Sequence, residues 1–353
     1  MKLKGEWIAK KLEGTQYGNT VSEEFDTDKH PITASLGNED GQNKIDATLV
    51  GKKGKVSIRN VKCDNSNFFK NYFVDLKNHL KHSSDGFNEK IDENKTDFLI
   101  IEDFNTYGLT GNLEKKTQGD RYSHFFLSFS PSKSGKDLGR RGQGRNVYWI
   151  ASYIKSFFGY SIQSDTNKKL LRGLCYAGDT TIGEDDYNPY VAYTVPHNGN
   201  ENIQNRKETL PVLDEKEIDE FIKLTGIKRK NEPGLSLVIP YPHERIKING
   251  LKNQYLKRFW AAILFEAIEL EVQDNLINEK NIRSQCKSIG ITENYVDFIE
   301  GSRTLPEENY ILIDFSNRED LPSGLDIDLI GQDKIEKIKR DYYTEEIISF
   351  RIK

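Results

Sequence analysis

Hydrophobic and polar positions alternate along this chain with two periods, one typical of helices and the other of strands. Apolar residues at helical spacing predict helices over residues 67–81, 144–158, 214–225 and 251–269. Short apolar or alternating runs predict strands over residues 56–61, 97–103, 160–164, 170–177, 191–195, 233–240 and 269–273. Weaker helix and strand signals continue to alternate from residue 279 to a strand-like end at 347–353. The chain therefore mixes helices and strands along its length.

The N-terminal part of the pattern is weaker. Residues 1–30 are polar and rich in glycine, so we expect an extended arm or loose strand there, with a disordered tail as the alternative. Pro31 is placed to open a helix that runs to about residue 49. The apolar positions of this helix are sparse, and Gly41 weakens it by about 1 kcal/mol relative to alanine. Tertiary packing or a ligand would have to hold it in place.

Composition limits the classes of protein that fit. With 353 residues the chain has room for two domains, and we predict a boundary in the stretch 240–250. Its 36% hydrophobic and 30% charged residues are in the globular range. The formal net charge of −4 provides no overall basic field for nucleic acid, although a local basic patch stays open.

Cysteine usage and hydropathy bear on the compartment. Three widely spaced cysteines without a CxxC pair argue against a cysteine zinc site and against a disulfide framework. The N-terminus has no hydrophobic signal core, and no apolar run reaches about 18 residues. We therefore expect a cytoplasmic protein that does not enter a membrane.

The helix predicted after Pro31 carries the first candidate chemistry. At about 100° per residue, Glu39, Asn43 and Asp46 share one helix face. Two carboxylates and a carboxamide on one helix face do not suit packing in a hydrophobic core, but they can hold a metal ion and a water molecule. Glu39 fits a general base and Asn43 a magnesium ligand, while Asp46 could hold those side chains or a nucleotide in register. The alternative is a solvated polar face.

A second candidate lies at the end of the strand predicted over 97–103. Asp103 ends this strand, and Asn105 and Gly108 follow in a polar stretch. An acid at a strand end can accept a hydrogen bond from an exocyclic amine such as that of adenine. Gly108 would let the backbone approach a flat ring. An ordinary acid at a strand end is the alternative, since such acids are common.

A third candidate is the glycine-rich run formed by Gly139, Gly142, Gln143, Gly144 and Arg145, directly before a predicted helix. Glycines let backbone amides close on phosphate oxygens, and a helix N-terminus favours anions. The run is not a Walker A loop, because no GK[ST] ends it. The connection before it is long and polar, as lids often are. The alternative is a plain turn.

In order and spacing these three stretches resemble the motifs of the GHKL superfamily, which comprises the gyrase, heat-shock chaperone, histidine kinase and MutL ATPases. Its members share the Bergerat ATP-binding fold. The residues that match the three motifs are Glu39, Asn43, Asp46 and Ala47, then Asp103 and Gly108, then Gly139, Gly142 and Gly144. Together the matches cover roughly residues 31–160.

The resemblance implies an α+β fold. The expected architecture is a Bergerat-type sandwich of a mixed, largely antiparallel sheet with helices on one face, followed by a smaller α/β domain. Residues 1–245 would be the ATP-binding domain. Residues 246–353 would be transducer-like or bind a partner.

The resemblance also implies site roles and cofactors. The cofactors would be ATP and Mg²⁺, with Glu39 as general base, Asn43 as magnesium ligand, Asp103 as adenine reader and residues 139–145 as phosphate lid. The lid would order over ATP and relax after hydrolysis, and its ordered state would favour a homodimer. The motifs look most like those of bacterial Hsp90-like ATPases often met in defence loci.

Two departures from the family pattern stand out. Asn105 occupies the place of the first glycine of the second motif. Leu235 occupies the place of a threonine that often reaches the adenine-binding acid through water, and Ser236 is the candidate to replace it. These departures favour binding over fast hydrolysis, so a nucleotide-gated binding module with little turnover is the alternative to a slow ATPase. A histidine kinase is disfavoured, because no phospho-accepting histidine lies on a long helix upstream.

Overall fold

The computed structural model describes residues 5–12, 31–63, 66–83, 92–114, 117, 119–127, 144–196, 209–302, 310–313 and 349–352. Among these residues, one large sheet has eleven strands. The strands are β1 (Glu6–Lys11), β2 (Gly54–Cys63), β3 (Thr96–Phe104), β4 (Ser156–Ile162), β5 (Lys169–Tyr176), β6 (Thr180–Ile182), β7 (Asp185–Pro196), β8 (Thr209–Leu210), β9 (Gly234–Pro240), β10 (Ile268–Val272) and β11 (Asn275–Ile277).

The sheet is mixed and mostly antiparallel. Its strand order is β1-β7-β5-β4-β9-β3-β2-β10-β11, with β6 and β8 also paired to β7. Within this sheet, β10 runs parallel to its neighbour β2, and the other pairs of described strands are antiparallel. The α+β fold with a largely antiparallel sheet, expected from the sequence, is confirmed.

Eight α-helices accompany the strands in the described part of the chain. They are α1 (Ile32–Asp46), α2 (Ser66–Tyr72), α3 (Val74–Lys81), α4 (Asn146–Ile150), α5 (Glu215–Thr225), α6 (Ile248–Leu264), α7 (Ile282–Ser288) and α8 (Glu293–Ser302). The α5 helix shows how local sequence sets the bounds. The Asp214 carboxylate caps its first turn by accepting the Glu217 N–H at 3.0 Å, and Gly226 ends it with a φ of 78°.

Helices cover both faces of the sheet. In β4 the adjacent residues Phe157 and Phe158 point to opposite faces, because successive strand side chains alternate. Phe158 packs against Phe68 of α2 and Phe221 of α5, whereas Phe157 packs against Tyr148 of α4. The helices α1 and α6 are on the same side as α4, because Asp40 of α1 accepts hydrogen bonds from Tyr148 of α4 and Tyr255 of α6. The expectation of helices on one face therefore needs correction.

The N-terminal arm is an edge strand within residues 6–11. Its strand β1 pairs with β7, and Trp7 is buried among Phe73, Phe158 and Tyr193. The Trp7 indole N–H also donates to the Tyr72 carbonyl oxygen. The extended alternative is thus the one that the structure adopts for this segment.

Three predicted helices differ from the observed ones. The segment 67–81 is broken into α2 and α3 at Phe73, whose φ of −128° lies outside the helical region. The segment 144–158 contains only the five-residue α4, after which the chain enters β4. Every residue of β4 is buried, so its apolar run resembles a buried helix in sequence. The helix after Pro31 ends at Asp46 instead of residue 49.

The contacts divide the chain into two compact units. Among the described residues, the first unit extends to Gln285 and the second begins at Cys286. The sequence analysis places a boundary between 245 and 246, but α6 and β10 belong to the first unit because α6 packs on α1 and β10 pairs with β2.

The second unit contains α8 and a parallel pair of strands, β12 (Tyr310–Ile313) and β13 (Ser349–Ile352). The role of this C-terminal region stays a prediction. In the described part of the chain, no helix combines the length and the apolar composition needed to cross a bilayer.

Candidate functional site

The α1 helix separates the predicted site residues from its buried face. Asn43 and Asp46 are exposed and Glu39 is half-buried. The residues that α1 buries are Ile32, Leu36, Gly37, Asp40, Gly41 and Lys44. The three candidate side chains therefore lie on the accessible side of a helix that is held by its opposite face.

Gly41 is a packing residue. A Cβ at this position would lie 2.0 Å from Cε2 of Phe259, so only a glycine lets α6 approach α1 this closely. The sequence analysis treats Gly41 as a source of weakness. In the structure it allows the contact that holds the helix.

Glu39 lies beside the end of the glycine-rich run. A Cβ on Gly144 would be 2.6 Å from Oε2 of Glu39 and 3.9 Å from Nδ2 of Asn43, so Gly144 is a near neighbour of the Glu39 carboxylate and faces the side of α1 that carries Asn43. Burial raises the pKa of Glu39 above its usual value, and the positive charge of Arg258 on α6 opposes part of that rise. A base with a raised pKa is a better proton acceptor near neutral pH.

A hydrogen bond from its amide nitrogen orients the Asn43 side chain. Its Nδ2 donates to the Tyr148 hydroxyl oxygen at 3.4 Å, which leaves the carboxamide oxygen as the group that a Mg²⁺ ion would bind. Asp46 has a different environment, since its carboxylate accepts a hydrogen bond from Gln42 at 2.9 Å. Of the three side chains on the predicted face, Glu39 and Asn43 are brought together at Gly144.

Asp103 is buried and paired with a residue that sequence reasoning missed. Its Oδ2 lies 2.7 Å from the Lys44 ammonium, and the two side chains are 2% and 3% exposed. Burial alone would lower the pKa of Lys44, but the carboxylates of Asp103 and Asp40 raise it above its usual value. Lys44 is therefore a buried cation at the position where the base of a nucleotide is expected.

The other oxygen of Asp103 is saturated with hydrogen bonds. Its Oδ1 accepts from the Leu235 backbone N–H at 2.8 Å and from the Thr106 hydroxyl, and Arg229 lies at 3.9 Å. Burial by itself would raise the pKa of Asp103, but the cations Lys44 and Arg229 hold it below its usual value. The carboxylate is thus ionised and rigidly held.

Asn105 and Gly108 shape the loop after Asp103. Both have a left-handed backbone, with φ values of 60° and 65°. Asn105 therefore adopts the conformation for which the family uses glycine, and its Nδ2 donates to the Lys53 carbonyl oxygen at 2.9 Å. A Cβ on Gly108 would lie 2.3 Å from the Ile162 carbonyl oxygen, so this glycine lets the loop pack on β4.

Ser236 does not reach Asp103. Its hydroxyl donates to Oε1 of Glu102 at 3.0 Å and accepts from Nε of Arg229 at 2.9 Å. Because Ser236 and Glu102 are paired across β9 and β3, both side chains point away from the face of Asp103. The contact expected from Ser236 is made by the backbone of Leu235 instead.

The predicted phosphate lid lies mostly outside the described residues, including Gly139, Gly142 and Gln143. Arg145 is described, and its Nη1 donates to the carbonyl oxygens of Phe125 at 2.5 Å and His124 at 3.3 Å. Burial lowers its pKa to about 10. Arg145 thus ties α4 to a helical turn at Ser123–Leu127, and the structure does not direct it towards a phosphate. With five residues, α4 also has only a weak dipole.

Asp40 joins three helices beneath the site. Tyr148 of α4 donates to its Oδ1 at 3.0 Å, the Tyr255 hydroxyl of α6 donates to its Oδ2, and Lys44 lies 3.7 Å away. Burial raises the pKa of Asp40, and these partners offset part of the rise. Since Tyr148 also contacts Asn43, the candidate metal ligand is connected to this buried centre.

Comparisons with known proteins give one kind of match. No protein-family model matches the sequence, and no curated protein matches it either. The fold is similar to the ATPase region of Saccharomyces cerevisiae topoisomerase II, with 12% identity and a TM-score of 0.33 over 72% of this chain and 52% of that one.

A second similar structure comprises the ATPase and transducer domains of DNA topoisomerase II from Balamuthia mandrillaris. Its identity is 12% and its TM-score 0.34, over 79% of this chain and 55% of that one. The chain spans about half the length of these two solved structures.

Proposed function

We propose that this protein binds ATP with Mg²⁺ and hydrolyses it slowly, and that the nucleotide drives closure of the lid. The observation that supports this most is that the candidate base Glu39 and the candidate metal ligand Asn43 lie beside Gly144. Glu39 lies close to Gly144, Asn43 follows one turn later on α1, and the ionised Asp103 lies on the face of the sheet that α1 covers. These residues come from the three sequence motifs in the order that the family resemblance requires.

Each residue would have one chemical task. Glu39 would orient the attacking water and take its proton on a carboxylate oxygen, for which its raised pKa is suited. Asp103 would accept a hydrogen bond from the base of the nucleotide. The Gly144 backbone would lie next to the phosphates at the end of the lid.

Asn43 is the residue that would hold the metal ion. Mg²⁺ keeps several waters and binds phosphate oxygens with one or two protein ligands, and a carboxamide oxygen on an accessible helix face meets that need. When bound, the ion would neutralise part of the negative charge on the phosphates.

The resemblance to Hsp90-like ATPases extends the proposal. Residues 246–353 would then contact a second copy of the chain or another protein, and the protein would act in the cytoplasm of a bacterium in defence against phage. Only the motif resemblance supports this part.

A second candidate function is a nucleotide-gated binding module with little hydrolysis. The position of Arg145 supports it, because the Nη1 of this arginine is engaged by the carbonyl oxygens of His124 and Phe125. Tight ATP binding without release of phosphate would select this function over an ATPase.

Calorimetric titration of Mg·ATP tests the proposed site. Asn43→Ala removes the metal ligand, so we expect its affinity to fall by roughly tenfold or more, the order that one charge-assisted contact is worth. Gln42→Ala is the matched control, since Gln42 is an exposed neighbour on α1 whose amide contacts Asp46. Its affinity should stay within about twofold of the wild type. Equal affinities in the two variants would contradict the proposed site.

A further inference from the structure

The helices α1 and α6 lie side by side and run in the same direction. A Cβ on Gly37 would lie 2.9 Å from Cβ of Gln254, and one turn further along α1 a Cβ on Gly41 would lie 2.0 Å from Cε2 of Phe259. Later residues of α1 therefore meet later residues of α6. Arg258 is the residue before Phe259, so it lies between these two contacts along the axis of α6.

Arg258 lies close enough to Glu39 for their charges to interact. Glu39 is also between the two contacts, on α1. Burial raises the pKa of Glu39, and the positive charge of Arg258 opposes that rise. The arginine is exposed and the glutamate half-buried, and among the residues that the structure describes neither side chain has a hydrogen bond or an ion pair. The guanidinium and the carboxylate are therefore neighbours without direct contact.

This separation leaves both groups available to a ligand. In direct contact, the guanidinium donors would cover the carboxylate oxygens, and Glu39 could not take a proton from water. Instead, the carboxylate stays open to a water molecule, and the five N–H donors of Arg258 have no partner in the described part of the chain. Gly144, at the end of the glycine-rich run, is a near neighbour of the same carboxylate. An anionic group beside Gly144 would satisfy the arginine while a water molecule contacts Glu39.

We propose that Arg258 binds the γ-phosphate of the nucleotide and stabilises the negative charge on it during hydrolysis. This inference rests on the proposed function, since it adds a second reacting group to the same site. A guanidinium suits this task, because its planar fork donates two parallel hydrogen bonds to a phosphate. It also stays charged at every pH at which a carboxylate base works.

The reaction gives each group a separate role. The oxygen of the attacking water bonds to the γ-phosphorus, and Glu39 takes one proton of this water. The bond between the γ-phosphorus and the bridging oxygen breaks, and its electron pair leaves with ADP. Arg258 keeps its own protons and donates hydrogen bonds to the non-bridging oxygens of the γ-phosphate. Its effect on binding is therefore limited to nucleotides that carry a γ-phosphate, and its effect on the rate comes from the charge that it offsets.

The first test compares the affinities for Mg·ATP and Mg·ADP by calorimetric titration. Arg258→Met keeps an unbranched side chain and removes the charge and the donors. Its affinity for Mg·ATP should fall by about 10- to 100-fold, the range of a charge-assisted contact, while its affinity for Mg·ADP stays within about twofold. Lys257→Met is the matched control, since Lys257 is the exposed neighbour of Arg258 on α6. Both of its affinities should match those of the wild type.

The second test separates a phosphate contact from an influence on Glu39 alone. Single-turnover release of phosphate at saturating Mg·ATP is measured at rising pH, until the rate no longer depends on pH. Glu39 is ionised on this plateau with or without the arginine, so an effect on its ionisation alone would leave the plateau rates equal. A γ-phosphate contact should lower the plateau rate of Arg258→Met by about 10- to 100-fold. Arg258→Lys keeps the charge and should recover part of that rate.

Two results would overturn the inference and leave the proposed function intact. One is an equal loss of affinity for Mg·ATP and Mg·ADP in Arg258→Met, and the other is a plateau rate within about twofold of the wild type. Failure of the wild-type chain to bind either nucleotide would overturn both the inference and the proposed function. Because Arg258 is exposed, its replacement should leave the fold intact, which circular dichroism checks.

Discussion

At the scale of single residues, α1 carries two adjacent carboxylates with different surroundings. Glu39 faces Gly144 and is half-buried, whereas Asp40 is fully buried between the hydroxyls of Tyr148 and Tyr255. Because consecutive helix positions are rotated by about 100°, one helix can expose a base and bury an anchor. The half-buried position of Glu39 raises its pKa and still leaves the carboxylate accessible to a ligand.

The pH dependence of turnover follows from the environment of Glu39. Its pKa is raised by burial, and it must be deprotonated to act as a base, so turnover should rise with pH through a value above 4.5. Arg258 favours the charged form, and Arg258→Met should therefore move this acidic limb to higher pH. A pH–rate profile measures both effects.

The matched control for this profile is Lys257→Met. Lys257 is the exposed neighbour of Arg258 on α6 and carries the same charge. Its loss should leave the acidic limb in place. A limb that moves equally in both variants, or that moves to lower pH in Arg258→Met, would contradict the assignment of Glu39.

The sequence indicates the accessible part of the candidate site and gives no sign of the buried residues beneath it. Glu39 and Asn43 follow a recognisable motif, but Asp40 and Lys44 at i and i+4 look like an ordinary surface ion pair. The packing of α6 on α1, through Gly41 and Phe259, helps to bury them. No local pattern indicates such a contact, because its partners are more than 200 residues apart in the sequence.

At the scale of elements, predictions held where one face of an element is buried and the other exposed. The α5 helix has polar and apolar faces and both caps, and it matches its predicted range closely. The strand β4 is buried on both faces, so its apolar run has no period of two. The sequence pattern therefore assigns its first residues, 156–158, to the end of a helix and predicts a strand only over 160–164. The break at Phe73 between α2 and α3 likewise has no glycine or proline to mark it.

Gly41→Ala should destabilise the protein, against the usual helix preference. Alanine normally stabilises a helix interior by about 1 kcal/mol relative to glycine. Here the added Cβ would lie 2.0 Å from Cε2 of Phe259, so the cost of overpacking should be in the upper part of its usual range, about 2–3 kcal/mol. After subtraction of the helix gain, the free energy of unfolding should fall by about 1–2 kcal/mol. Chemical denaturation measures this change.

Gly301→Ala is the control for that experiment. Gly301 lies in α8, and a Cβ there would meet nothing within 4 Å. The alanine should leave stability unchanged or raise it slightly. If Gly41→Ala were also neutral or stabilising, the close packing of α6 on α1 would be contradicted.

At the scale of the whole molecule, buried charges of alternating sign connect the two faces of the sheet. The members of this chain of charges, in order, are Asp40, Lys44, Asp103, Arg229, Glu102 and Arg59. Glu102 and Asp103 are consecutive in β3 and point to opposite faces. The guanidinium of Arg229 lies near Asp103 and its charge interacts with both carboxylates, while its backbone N–H donates to Glu102. Because each buried charge has a partner of opposite sign, removing one member would leave another buried charge without a partner.

The extent of the first unit can be tested by truncation. A chain ending after Gly290 keeps α7 whole, and we expect it to unfold cooperatively and to bind Mg·ATP like the full chain. A chain ending at residue 245 loses α6, β10 and the Tyr255 hydroxyl that binds Asp40, so it should be strongly destabilised. Thermal unfolding by circular dichroism, with calorimetry, compares them. Equal stability of the two truncated chains would contradict the inclusion of α6 in this unit.

Glu39 is proposed to act as the base of an ATP-hydrolysing site. Single-turnover release of phosphate from Mg·ATP, in the wild type and in Glu39→Gln, tests it most directly. Because glutamine keeps the size of the side chain and removes its basicity, the rate should fall by about 10²- to 10⁴-fold while ATP affinity stays within about threefold. A Glu39→Gln rate within a few-fold of the wild type, with binding intact, would contradict the claim.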